Sequence, residues 1–137
     1  MTADLSAPPG VSGMTVRKPN PSGISLVMTW NQTSCSGAAG YRLIYGGGSQ
    51  LRTTTTGVLG SMGAVCSVSV PYLWSSPPTT IDPTGLVWWI VVASDANGVE
   101  GSWGTNGDGG ERNGPGPGGS SGSCGTPGKS LSNTCGH

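Results

Sequence analysis

The run Leu86-Val-Trp-Trp-Ile-Val-Val-Ala93 is apolar at every position. A strand with one wet face alternates apolar and polar residues, because successive side chains point to opposite sides of a sheet. This run does not alternate. β-Branched and aromatic residues dominate it, and Pro83-Thr-Gly85 and Asp95-Ala-Asn-Gly98 bracket it with turn formers, which predicts a strand over a buried helix. One side of such a strand fills the domain's own core. The other side must also be covered, and what covers it is the functional question.

Outward from this strand, the pattern becomes regular. Ile24-Ser-Leu-Val-Met-Thr-Trp30 sets Ile24, Leu26, Met28 and Trp30 on one face. Tyr41-Arg-Leu-Ile-Tyr45 sets Tyr41, Leu43 and Tyr45 on one face and Arg42 and Ile44 on the other. Residues 11–18 read as a first strand, and residues 49–56 as a polar edge strand whose threonines suit extended geometry without inviting burial. Ala64-Val-Cys-Ser-Val-Ser-Val70 aligns Cys66, Val68 and Val70 inward, and Gly101-Ser-Trp-Gly104 reads as the last strand. No long segment carries a helical period. The expected fold is all-β, an antiparallel β-sandwich of about seven strands with a Gly/Pro/Ser-rich C-terminal extension.

Length and composition bound the answer. The 137 residues suffice for one domain of ordinary size and not for two good cores. The expected division is a lead segment over residues 1–10, a sandwich over 11–106 and a tail over 107–137. Eleven of the last thirty-one residues are glycine, and Gly114-Pro-Gly-Pro-Gly-Gly-Ser-Ser-Gly reads as a flexible linker, so order there would require something to hold it. Charged residues make up 9%, six of each sign, which leaves no electrostatic footprint for nucleic acid or an anionic membrane and little repulsion between copies. Low charge with abundant Ser, Thr, Gly and Asn points to an extracellular protein. No apolar run approaches the roughly 20 residues that cross a bilayer, so membrane insertion is not expected. The first residues lack a basic region followed by an apolar one, and the expectation is that an export signal has been removed.

Cys35, Cys66, Cys124 and Cys135 are four in number, none in a CxxC pair, and the single histidine is His137, so zinc is disfavoured and two disulfides in an oxidising compartment are expected. Three pairings are open. Cys124 with Cys135 closes a short loop in the tail and is the natural local pair, leaving Cys35 with Cys66.

Trp30 closing the second strand, Tyr41, Leu43 and Tyr45 in the third, and Trp89, Val91 and Ala93 in the long apolar strand together resemble fibronectin type III domains. The stretch from Trp88 to Gly104, followed by Gly110-Glu-Arg112, is similar to the C-terminal part of fibronectin III-like repeats of secreted bacterial proteins. The resemblance covers roughly residues 8–112 and implies a fibronectin III/immunoglobulin-like sandwich. It also implies an orientation, with Trp89, Val91 and Ala93 facing the core. Ile44, Trp88, Ile90 and Val92, with Trp103 beside them, then form an apolar patch on an outer sheet face. Burying three such side chains is worth about 5–8 kcal/mol, at about 1.5–3 each. Family members often carry cysteine where Asn97 stands, which implies another partner for Cys66, with Cys35 available.

Chemistry finds little foothold. One histidine near the end of this sequence is a poor base for a Ser or Cys nucleophile. Asp82, Asp95, Glu100, Asp108 and Glu111 read as solvated turn residues; Asp95, Asp108 and Glu111 as a calcium site lack any recognisable spacing. No cofactor is expected, and neither Gly46-Gly-Gly48 nor Gly107-Asp-Gly-Gly110 leads into a phosphate-binding helix. Trp74, in a Pro-flanked segment, either plugs the end of the sandwich or stands exposed as a stacking platform for a ligand such as a sugar. The expected function is therefore non-enzymatic: an extracellular structural protein, self-associating into a surface assembly or filament through its apolar face and its tail. Its partners are then other copies or neighbouring extracellular domains. The alternative is a monomeric ligand- or carbohydrate-binding adhesion accessory module, with the tail covering the face in the same chain.

Overall fold

Turn formers cut the chain into short extended runs, and in the computed structural model, which describes residues 12–32, 37–51, 59–79 and 83–132, six of these are strands. They are β1 (Ser12–Arg17), β2 (Leu26–Asn31), β3 (Gly40–Gly47), β4 (Gly63–Val68), β5 (Tyr72–Trp74) and β6 (Val87–Ser94). These six strands pair antiparallel and build two three-stranded sheets: sheet A in the order β1-β2-β5 and sheet B in the order β4-β3-β6. Short 3-10 turns stand at Gly48–Gln50 and Pro117–Gly119.

The two sheets share one core. Leu26, Met28 and Trp30 of β2 meet Tyr41 and Leu43 of β3 and Val91 and Ala93 of β6, as period-two alternation places them. Trp30 and Tyr41 meet edge to face at 5.4 Å between ring centroids. Trp74 lies 5.4 Å from Tyr45 and 6.1 Å from Trp89, also by centroid. Its ring is therefore buried between the sheets, not the exposed stacking platform that the sequence allowed; β5 turns its side chain inward and leaves Leu73 outside.

Three local expectations are corrected. Gly48–Gln50 forms a 3-10 turn, with Gly47 N donating to Gln50 Oε1 at 2.7 Å, where an edge strand was expected over residues 49–56; residues 52–58 lie outside the described residues. Cys66 is exposed, not inward, because the β3–β4 register shifts between the pairs Tyr41–Val68 and Leu43–Val65. Two residues of β4 there oppose one of β3, and such a bulge reverses the parity of the strand beyond it. The expected last strand over residues 101–104 breaks off after one ladder bond, Gly101 N to Ala93 O at 2.9 Å. Beyond it Trp103 N donates to Glu111 and Gly104 N to Ser102 Oγ, so side chains take the donors that a sheet would have used.

Candidate functional site

The outer face of sheet B carries Arg42 and Ile44 from β3 and Trp88, Ile90 and Val92 from β6, the residues opposite the core positions in each strand. Ile44 and Val92 are wholly buried and Ile90 nearly so, while Trp88 is half-buried. Trp88 lies over Gly46: a Cβ there would stand 2.5 Å from the indole, and Trp88 Nε1 donates to Gly47 O at 3.0 Å. The apolar face that the sequence placed here is thus real, but it is not bare. The chain's own C-terminal segment closes it.

Trp103 is the first piece of the cover. Its ring packs with Ile44, Ile90 and Val92 and is 1% exposed, with Leu59 and Ala64 beside it. Residues 111–132, hereafter the strap, pass over this layer. The strap is short of apolar side chains, so it is held by polar and covalent contacts.

Glu100 anchors the first of these. Its carboxylate is fully buried and accepts from Arg42 Nη1 at 3.4 Å, Trp103 Nε1 at 3.2 Å, Ser121 N at 2.8 Å and the Ser121 hydroxyl. A buried carboxylate is costly unless paired and hydrogen-bonded, and this one is both. The backbone of Glu100 also joins the strap, with its N donating to Gly128 O and its O accepting from Ser130 N, each at 2.9 Å.

Glu111 and Lys129 form the second anchor. Glu111 accepts from Ser102 Oγ at 2.6 Å, Trp103 N at 2.5 Å and Lys129 Nζ at 3.0 Å. Lys129 also donates to Arg112 O at 2.7 Å and Gly114 O at 3.2 Å, and its Nζ lies 5.1 Å from the Trp103 ring centroid. Burial pushes the Lys129 ammonium below the usual lysine value, against the opposing pull of Glu111 and Glu100. Three oxygen acceptors around three N–H donors nevertheless suit a structural ammonium.

Two further clamps finish the cover. Asn113 grips the backbone of Leu59, accepting from its N at 2.7 Å and donating to its O at 2.9 Å. Cys124 of the strap is disulfide-bonded to Cys66 of edge strand β4, across 58 residues of chain. This replaces the expected Cys124–Cys135 and Cys35–Cys66 pairing; the bulge that turns Cys66 outward puts it within reach of the strap. Cys35 and Cys135 lie outside the described residues. Glu100 and Glu111, expected as solvated turn residues, are interior groups. Asp82 lies outside the described residues, and no group of three His, Cys, Asp or Glu among the described residues could hold a metal ion.

Sequence reasoning brought together Ile44, Trp88, Ile90, Val92 and Trp103, and the structure places all five in one layer. It missed Arg42, Glu100, Glu111, Asn113, Ser121 and Lys129, whose roles depend on long-range meetings that no local period announces. Scarcity of charge was the available hint, since a chain with so few charged residues places some of them where they matter. Away from the strap, a cavity of about 660 Å³ at one end of the sandwich is lined by Leu26, Trp74, Pro77, Val87 and Trp89, with Lys18 also on its wall. No family model, curated protein or solved structure matches the chain.

Proposed function

We propose that the chain is a non-enzymatic extracellular structural module of fibronectin III-like kind, a subunit of a surface assembly. The strap carries the structural part of this reading; because it closes the outer face of sheet B within the same chain, the residues Ile44, Ile90 and Val92 are not the open association surface expected of a subunit. Twenty-two residues, a disulfide and two buried ion pairs serve to cover one sheet face, a construction suited to persistence in an oxidising exterior. Acid–base catalysis needs a group free to exchange a proton with substrate. Here the buried carboxylates and ammonium are engaged with one another and with backbone groups, which supports a structural role. Of the positions that carry the resemblance, Trp30, Tyr41, Leu43, Val91 and Ala93 are core positions and Tyr45 and Trp89 are partly buried against that core, which supports the family reading. The chain has no net charge, so copies meet without long-range repulsion. No helix among the described residues is long and apolar enough to cross a membrane.

Sizing and negative-stain microscopy of the full chain at high concentration test the proposal. Ordered oligomers or filaments are expected. A chain that stays monomeric under all oxidising conditions contradicts it and favours a second reading, a monomeric ligand- or carbohydrate-binding accessory module. The cover formed within one chain favours that second reading, as does the cavity walled by Trp74 and Trp89, whose size falls in the range of small-molecule sites.

A further inference from the structure

The strap docks on the rest of the chain through a separable set of contacts. Glu111 meets Ser102 and Trp103, Asn113 meets Leu59, Ser121 meets Glu100, and Cys124 meets Cys66. Thr126 Oγ1 donates to Gly98 O at 2.9 Å, and Ser130 N donates to Glu100 O. Every one of these partners lies at or before Gly104. The connection between the two parts is residues 105–110, a glycine-rich turn exposed over residues 107–110. It is folded as a tight turn: Asn106 N donates to Gly110 O at 2.7 Å, Gly109 N to Asn106 O at 3.0 Å, Asp108 N and Gly110 N each to Asn106 Oδ1 at 3.0 Å, and Arg112 N to Gly104 O at 2.9 Å beside a Thr105–Glu111 bridge. Straightened, six residues span about 20 Å.

We propose that the strap of one copy seats on sheet B of a second copy, so that subunits join by strap exchange and are locked by Cys66–Cys124 bridges between chains. The inference rests on the reading of the chain as an assembly subunit and names its joint. A second copy offers the same seat, so every contact that closes the face within one chain has the same partners between two. What is lost is the turn over residues 105–110 and the entropy of association. Reciprocal exchange closes a two-fold dimer, and head-to-tail exchange runs on as a filament. The bridge forms by thiol–disulfide exchange. Oxidised glutathione leaves one glutathione on Cys66 as a mixed disulfide and releases the other as its thiolate. The Cys124 thiolate of the second copy then attacks the Cys66 sulfur and expels the glutathione thiolate, so that two protein thiols are oxidised and one glutathione disulfide is reduced.

The test mixes two variants, Cys66→Ser and Cys124→Ser, unfolds them gently together and reoxidises them in a glutathione buffer. The matching pair of thiols is then divided between two chains. Seating of the strap raises their effective concentration, so a disulfide-linked heterodimer is expected in about tenfold excess over either homodimer, with Cys66 joined to Cys124 in the digested product. Random linkage, or no linked species, overturns strap exchange. A second variant guards against misfolding of either single mutant: the full chain with residues 106–110 deleted cannot turn back on itself and is expected to give Cys66–Cys124-linked multimers. A deletion variant that remains monomeric overturns the inference as well. Polymers of the wild-type chain lacking this interchain bridge would sink the joint and leave the assembly reading standing; the absence of polymers would sink that reading.

Discussion

The two sheets of the sandwich treat their outer faces in opposite ways. Sheet A turns Thr15, Arg17, Val27, Thr29 and Leu73 outward, and its strands alternate as those of a half-wet sheet do. Its outer contacts are light, such as the hydroxyl pair of Thr15 and Thr29 at 2.5 Å. Sheet B turns Ile44, Ile90 and Val92 outward, loses the alternation and acquires a third layer made of Trp103 and the strap. An unbroken apolar strand therefore marks a sheet buried on both faces, while an alternating one marks a sheet at the boundary with water.

That contrast predicts where substitutions hurt. Glu100→Ala strands Arg42 as an unpaired buried charge and orphans the Ser121 and Trp103 donors. It should cost about 3–5 kcal/mol in urea unfolding, more than any single change on the outer face of sheet A. Replacing both Cys66 and Cys124 by Ser removes a bridge that spans 58 residues and should cost about 2–4 kcal/mol, read in the same experiment. Gly46→Ala drives a methyl into the Trp88 ring and should cost about 1–3 kcal/mol, with a change in near-ultraviolet tryptophan dichroism. Thr29→Ala, on the outer face of sheet A, should stay within about 0.5 kcal/mol of the parent. If Thr29→Ala proved as damaging as Glu100→Ala, the difference between the two faces would be illusory.

Legibility followed the same divide. Where burial is written as a local period, most of the residues follow it: Leu26, Met28, Trp30, Tyr41, Leu43, Val91 and Ala93 are core residues, whereas Ile24, set on the same face as Leu26, lies before the start of β2 and is exposed. The missing alternation from Leu86 to Ala93 foretold a covering layer, and Trp103 was placed beside it. The nature of the cover was not legible. Glycine and proline dominate the strap, its order depends on Glu100, Glu111 and Lys129 finding partners across the fold, and such meetings leave no mark on neighbouring residues. A single bulge in β4 was enough to reverse the facing of Cys66, and with it the disulfide pairing. Trp74 was ambiguous because a short strand between prolines resembles a loop.

The most direct measurement is nuclear magnetic resonance of the Trp103 indole in a dilute, oxidised sample of the full chain. A slowly exchanging Nε1 proton, with Overhauser contacts to Ser121 and Lys129, is the predicted result. Rapid exchange with water, and no contact to either residue, would contradict a sheet B sealed by the C-terminal segment.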